Sequence, residues 1–145
     1  MLSTLLTALI GALGGVSVGL QGPIAAQMGK RVGSAASSFV VHVSGALLSG
    51  LLLLARGGEE IRNWHSLSWY MLGSGFFGVV LYLTINHTMP RLGATTALAL
   101  IIIGQLAVGV TVDHFGLFGV AVRQLDLWRG AGLILLLAGG YLIIR

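Results

Sequence analysis

The sequence predicts an all-α membrane protein with five transmembrane helices. Two observations lead to this class: 56% of the 145 residues are hydrophobic, and only 8% are charged. A soluble domain carries about 25% charged residues, and a helix needs about 20 mostly apolar residues to cross a bilayer. The apolar residues here fall into five runs of suitable length, divided by short stretches with arginine, proline or glycine. A soluble globular fold is therefore excluded.

The bounds of the five spans follow from apolar length and from the residues that end each run. We expect a single transmembrane domain over residues 1–145, with spans at about residues 2–28, 34–54, 67–87, 92–112 and 127–144. Trp69, Tyr70 and Trp128 suit the membrane interface, where aromatic rings prefer to lie. The segment 113–126 is too short to cross and too apolar to be fully solvated. Because the number of spans is odd, the two termini are predicted on opposite sides.

The first span contains a predicted break at Gln21-Gly22-Pro23. A break at membrane depth is tolerated only where protein or a wet cavity satisfies the freed backbone groups. The sequence therefore predicts a hinge at Gly22 and Pro23, and a second hinge at Pro90. Gln21 either holds a polar substrate or bonds to the carbonyl groups that Pro23 leaves free.

Small and polar residues recur every four positions along the first four spans, which places them on one ridge of each helix. The ridges are Ser3-Thr7-Gly11-Gly15-Gly19, Ser34-Ser38-His42-Ala46-Gly50, Ser74-Gly78-Tyr82-Asn86-Pro90 and Ala97-Ile101-Gln105-Gly109-Asp113. Small residues let transmembrane helices approach closely, and polar residues bond across the contact. The glycine ridge of the first span is thus expected to pack within the bundle. The fifth span, which has no polar residue before Tyr141, is expected to face lipid or a dimer partner.

Polar side chains inside a membrane are functional candidates by default. The substrate-binding candidates are Gln21, His42, Tyr82, Asn86 and Gln105. For each of them a purely structural hydrogen bond or packing role is the alternative.

Three residues are candidates for proton coupling: His42, Asp113 and His114. Histidine titrates near neutral pH, which suits that role. Asp113 has two other predicted roles, since it either caps a short following helix or pairs with Arg123 or His114.

Several kinds of site are disfavoured by the residues present. No predicted span carries an Asp or Glu at mid-membrane, which disfavours a cationic substrate unless aromatic faces such as Phe76, Phe77 or Tyr82 hold it. There is no phosphate-binding loop and no zinc-protease helix motif, and the absence of cysteine excludes thiolate metal sites. We expect no catalytic residue, no enzyme activity, no cofactor and no metal. The net charge of +4 forms no patch, so nucleic acid is not an expected partner.

The basic residues divide equally between the two predicted sides of the membrane. Arg56, Arg62, Arg123 and Arg129 lie on one side, and Lys30, Arg31, Arg91 and Arg145 lie on the other. Orientation normally follows the bias in lysine and arginine. The tie is either the noise of a short chain or a sign of dual topology, in which the chain inserts both ways and pairs with an inverted copy. Five helices are also few for enclosing a substrate path, which favours an oligomer.

Three segments carry a family resemblance: GGVSVGLQGPIAAQMGKRVGS, PRLGATTALALIIIGQLAVGVTVDHFGLFGV and LILLLAGGYLI. They resemble the YdcZ-like family of short, five-helix bacterial inner-membrane exporters in the drug/metabolite transporter superfamily. The most specific parts are Gln21 with Pro23 and Ile24, Pro90-Arg91-Leu92-Gly93, Gly104-Gln105 and Asp113-His114-Phe115-Gly116. Ala25 departs from the asparagine expected after the Pro-Ile pair. The resemblance implies half of a ten-helix transporter-like bundle, completed by an inverted copy or a paralogue.

These observations predict a small-molecule transporter of the bacterial inner membrane. We expect it to export a small polar or amphipathic metabolite by alternating access as an antiparallel homodimer, with spans one to four lining the path. Its expected partners are a second copy of itself or a paralogue, the substrate and membrane lipids. Two alternatives stay open: a non-transporting scaffold subunit, whose ridges only pack against a larger partner, and a lipid-carrier flippase with a lateral opening.

Overall fold

The computed structural model describes residues 2–145, and the regular elements among those residues are all helical. The α-helices are α1 Leu2–Val32, α2 Ser34–Ala55, α3 Trp69–Leu72, α4 Gly75–Leu92, α5 Ala94–Phe115 and α6 Leu127–Ile144. Short 3₁₀ helices occupy Ile61–Ser66 and Leu117–Gly119.

Five segments of the described chain are long and apolar enough to cross a membrane. They are Ser3–Val32, Ser34–Ala55, Trp69–Leu92, Ala94–Phe115 and Leu127–Ile144. The predicted class, an all-α membrane protein with five spans, is therefore confirmed. The extent of 1–145 as a single domain remains a prediction.

The first and third spans continue past their predicted ends because the basic residues there stay helical. Lys30 and Arg31 occupy the last turn of α1, and Arg91 occupies the last turn of α4. Positive charge at a helix C-terminus is favoured by the helix dipole, and long basic side chains can reach the interface from within the helix. Basic residues thus mark the final turn of a span here rather than the loop after it.

Two glycines make the sharp corners that end these helices. Gly33 separates α1 from α2 with φ 91° and ψ 154°, and Gly93 separates α4 from α5 with φ 81° and ψ 163°. This region of backbone space is essentially restricted to glycine. Each corner carbonyl then accepts the first bond of the new helix, from Ser37 N at 2.9 Å and from Ala97 N at 3.2 Å.

The predicted interruption of the first span is wrong. Helix α1 continues through Gln21, Gly22 and Pro23 to Val32, and α4 likewise continues through Pro90. Proline removes one backbone N–H, but in hydrocarbon the neighbouring peptide groups have no water as an alternative and keep their helical bonds. Over 31 residues α1 is about 46 Å long. Hinge roles for Gly22, Pro23 and Pro90 remain predictions.

The chain divides into two compact units, one ending at Arg91 and the other covering Leu92–Arg145. In the first unit α1 packs against α2, and the buried residues include Ala25, Ala26, Ser37, Ser38, Tyr82, Ile85, Asn86 and Met89. In the second unit α5 packs against α6. Gly140 allows this contact, because a Cβ atom there would lie 2.6 Å from Cδ1 of Ile103.

The glycine ridge of α1 does not pack within the chain, contrary to expectation. A Cβ atom at Gly11, Gly15 or Gly19 would meet nothing within 4 Å. None of the most apolar 18-residue window of this span is buried. The close-packing surface is therefore present, but none of the described residues lies within 4 Å of a Cβ placed on it.

The corner at Gly33 gives a test of backbone conformation alone. Gly33→Ala should lower the stability of the protein by about 1–3 kcal/mol, since alanine must adopt a glycine-only conformation. Gly45→Ala is the matched control, because both positions have no atom within 4 Å of the added Cβ and only Gly33 has positive φ. Thermal unfolding in detergent would measure both. Equal melting temperatures for the two variants would contradict the corner geometry.

Candidate functional site

The candidate site lies where the polar ridges of α2 and α4 face each other. The helices run antiparallel there, so that Ser34 lies opposite Asn86 and His42 lies opposite Gly78 and Tyr82. The spacing of four along each helix keeps these pairs in register over two turns. The structure thus brings together three of the predicted substrate-binding residues: His42, Tyr82 and Asn86.

His42 is held by the backbone of its own helix. Its Nδ1 lies 2.7 Å from the carbonyl oxygen of Ser38. A carbonyl can only accept, so Nδ1 is the donor in this bond, and in the tautomer that makes this bond Nε2 is the acceptor nitrogen. Nε2 points at Gly78, where a Cβ atom would lie only 2.7 Å away. It finds no hydrogen-bond partner among the described residues.

The ring of Tyr82 also contacts the imidazole of His42. The two ring centroids lie 5.5 Å apart at an interplanar angle of 85°, an edge-to-face contact. Tyr82 is buried, yet its hydroxyl forms no hydrogen bond with any described residue. A free phenolic hydroxyl and a free imidazole nitrogen therefore occur in one contact at membrane depth.

Asn86 of α4 contacts both α1 and α2. Its Nδ2 donates to the carbonyl of Ser34 at the start of α2, over 3.2 Å. Its Oδ1 faces Gly29 of α1 so closely that a Cβ there would lie 2.7 Å from it. Oδ1 is buried and has no hydrogen-bond partner in the described part of the chain. Asn86 thus holds α4 against the corner between α1 and α2, and substrate contact by this side chain remains a prediction.

A second buried bond secures the same corner. The hydroxyl of Ser37, which is fully buried, donates to the carbonyl of Ala25 over 2.8 Å. That carbonyl belongs to α1, two residues after Pro23. The sequence analysis did not single out Ser37, because this residue lies outside the ridge of small and polar residues on α2. It did not single out Gly29 either, because glycine is common near helix ends and gives no signal of a tertiary contact.

Gln21, in the first compact unit, and Gln105, in the second, are both exposed. Gln21 precedes Gly33 by twelve residues, and Gln105 follows Gly93 by twelve (33 − 21 and 105 − 93). Twelve residues of helix span about 18 Å, which places each amide near the middle of a hydrocarbon core of about 30 Å. Neither side chain forms a hydrogen bond within the described residues. Gln21 therefore does not repair carbonyls freed by Pro23.

Asp113 has a partner that the sequence did not suggest. Its Oδ2 lies 3.6 Å from Nη1 of Arg129, in the first turn of α6. The Asp113 carboxylate therefore does not make the predicted pair with Arg123 or His114, although the Arg123 N–H donates to the Asp113 carbonyl over 2.8 Å. The predicted capping role is wrong, since Gly116 precedes the 3₁₀ helix without a side-chain cap. Asp113 remains in the last turn of α5, so its carboxylate points along the hairpin toward α6. Proton coupling by Asp113 and by the exposed His114 remains a prediction.

The described residues contain no group of three or more His, Cys, Asp or Glu side chains that could hold a metal ion. What they do contain is a set of apolar spans with polar side chains at membrane depth. These features define a polytopic membrane protein of the transport class, in which intramembrane polar residues mark a substrate or ion path.

Comparison with protein families identifies the class more closely. Residues 6–142 match the family described as "Putative inner membrane exporter, YdcZ". The match covers almost the whole chain, so the protein belongs to this family and the predicted resemblance is confirmed. It is a membrane transporter of the exporter type rather than an enzyme. Comparisons with curated proteins and with solved structures gave no match.

The contact between Asn86 and Gly29 makes a second testable prediction. Gly29→Ala should destabilise the protein by about 1–3 kcal/mol, because the new methyl group overlaps the Asn86 amide in a packed region. Gly14→Ala in the same helix, where nothing lies within 4 Å, should be neutral or slightly stabilising. Melting temperatures in detergent would compare the two. A Gly29→Ala protein as stable as the control would show that Asn86 does not fasten α1.

Proposed function

We propose that this protein exports a small polar or amphipathic metabolite across the bacterial inner membrane by alternating access. The working unit is an antiparallel pair of identical chains that together form a bundle of ten helices. The path runs between the two copies, lined by the first four spans of each.

The exposed glutamines carry this proposal. An amide transferred from water to an alkane-like medium without a hydrogen bond costs about 4–8 kcal/mol. Gln21 and Gln105 lie near the bilayer centre on outward surfaces of the single chain. Lipid tails cannot satisfy them, so in the membrane they face a second protein chain or a water-filled cavity. A pair of chains that encloses a water-filled path provides both a second protein chain and a cavity.

The glycine ridge of α1 supports a second copy of the chain as the partner. Gly11, Gly15 and Gly19 present a surface made for close helix contact, and that surface is free in one chain. The equal division of basic residues removes the usual bias toward one orientation. A chain without orientation bias inserts in both directions, so its own inverted copies are present in the membrane as partners.

His42 is the proposed proton-coupling residue. Its Nε2 is an acceptor without a partner, so a proton can add there without breaking the Nδ1 bond to Ser38. The imidazolium then lies against the Tyr82 ring, where a cation is attracted by the aromatic system. Protonation therefore changes the contact between α2 and α4 and couples pH to the relative position of these helices.

The substrate class follows from the groups that are present. The described spans offer amides, a phenol and an imidazole but no carboxylate near the bilayer centre. Such groups donate and accept hydrogen bonds without supplying negative charge. They suit a neutral polar or amphipathic molecule better than a simple cation.

Flux through proteoliposomes tests the proposal. We expect purified protein to move at least one member of a panel of labelled amino acids, sugars, nucleosides and organic acids. Gly78→Ala should reduce that flux about tenfold, equivalent to about 1.4 kcal/mol, because its methyl group displaces the His42 ring. His42→Gln should abolish the pH dependence of the flux.

Gly75→Ala is the control for this experiment, since it lies in the same helix and meets nothing within 4 Å. It should retain wild-type flux. If no panel member is transported, or if Gly75→Ala and Gly78→Ala behave alike, the site does not line a path. A scaffold role would then be favoured by a dimer structure with a dry seam around Gln21 and Gln105.

The inverted pairing makes a separate prediction about orientation. Reporters active only in the cytoplasm or only outside it, fused after Arg145, should both show activity at comparable levels. Adding two lysines beside Arg62 should shift the chain to one orientation and lower flux, because the charge tie would be broken. Two lysines added beside Arg145 serve as the opposite control. Activity of a single reporter in the unmodified protein would exclude the antiparallel homodimer.

A further inference from the structure

The hairpin of α5 and α6 contains a second candidate site, on the face of α5 that packs against α6. A cavity of about 270 Å³ lies at the end of the hairpin, and its charged lining residues are Asp113, Arg123 and Arg129. Directly below it is an apolar cavity of about 160 Å³, lined by residues that include Ile103 and Ala107. The two cavities adjoin, since they share Val110, Leu133 and Leu136 as walls, and together they are called the α5–α6 groove.

The charged end of the groove contains one arginine side chain without a partner among the described residues. Arg129 is paired with Asp113 at 3.6 Å, whereas the guanidinium of Arg123 has no ion pair or hydrogen bond with any described residue. The backbone of Arg123 is nevertheless fixed, since its N–H donates to the carbonyl of Asp113 over 2.8 Å. Among the residues that line the cavity, two guanidinium groups and one carboxylate therefore converge, and the guanidinium of Arg123 is the one without a partner.

The N-terminus of α6 does not supply this site. Asp126 already caps it, and its carboxylate accepts the backbone N–H of Arg129 at 2.8 Å. An anion in the cavity must accordingly be held by arginine side chains. Guanidinium groups bind phosphate through paired hydrogen bonds, which is the geometry that a headgroup phosphate requires.

The apolar part of the groove has the length of a lipid tail within one leaflet. From Asp113 to Ile103 the groove follows ten residues of α5 (113 − 103), or about 15 Å of helix. Half of a hydrocarbon core of about 30 Å is the depth of one leaflet. The charged end lies beside Trp128 at the end of the span, where headgroups lie, and the apolar end points toward the bilayer centre.

From this arrangement we infer that the α5–α6 groove binds one anionic phospholipid. Its phosphate contacts Arg123 and Arg129, and one acyl chain lies along Ala107, Val110 and Leu133. Basic pockets between transmembrane helices are known to hold acidic headgroups. This inference uses only the hairpin of α5 and α6 and does not depend on the transported substrate.

Native mass spectrometry of the purified full chain tests the site. The protein would be incubated with equal amounts of phosphatidylglycerol and phosphatidylcholine that carry identical acyl chains. Wild-type protein should retain phosphatidylglycerol preferentially. Arg123→Gln should reduce that preference about fivefold, which corresponds to about 1 kcal/mol for one interfacial basic residue. Arg62→Gln, which removes a basic residue from the exposed 3₁₀ helix, should leave the preference unchanged.

The apolar part has its own pair of variants. Ala107→Phe fills the groove and should reduce retention of both lipids, whereas Val108→Phe on the neighbouring exposed surface should not. Glycerol 3-phosphate, added as a competitor without tails, should not displace the lipid. Equal retention of the two lipids, or an Arg62→Gln effect as large as that of Arg123→Gln, would overturn the inference. Displacement by glycerol 3-phosphate would instead indicate a site for a free phosphate compound.

Discussion

The absence of water from the hydrocarbon core is the constraint on which this structure depends. Every peptide group there must find a partner inside the protein, so the spans stay helical even where proline occurs. The same constraint applies to side chains. His42 uses a carbonyl of its own helix, Ser37 uses a carbonyl of α1, and Asn86 uses the carbonyl of Ser34. These bonds assemble α1, α2 and α4 with few buried apolar residues.

Polar groups without a hydrogen-bond partner among the described residues then indicate that a further binding partner is needed. Gln21 and Gln105 point outward, and the ridge of Gly11, Gly15 and Gly19 has no neighbour. In a soluble protein such features would be ordinary surface, because water would solvate the amides. In a bilayer they require another chain or a cavity. The family to which the chain belongs is one of exporters, and a paired assembly with a wet path satisfies both requirements.

The two ends of the chain serve different purposes in this view. The proposed transport site joins the ring of His42 to that of Tyr82, and we propose that the imidazole nitrogen and the hydroxyl change partners during a transport cycle. The hairpin of α5 and α6 keeps its charges at the membrane interface, where Arg123 and Arg129 can meet lipid phosphates.

The sequence by itself determined the class, the number of spans, the polar ridges and the balance of basic charge, because these depend on composition and on the period of the helix. Only the tertiary structure decided that His42 meets Gly78, that Asn86 reaches Gly29, and that Asp113 pairs with Arg129. Such contacts join residues far apart in the chain, and local periodicity carries no information about them. The helix ends also needed the structure, although each corner glycine, Gly33 and Gly93, directly follows an arginine and an apolar residue. The break predicted at Pro23 was wrong because proline interrupts a helix more readily where water can bond to the freed backbone groups, and the hydrocarbon core has no water.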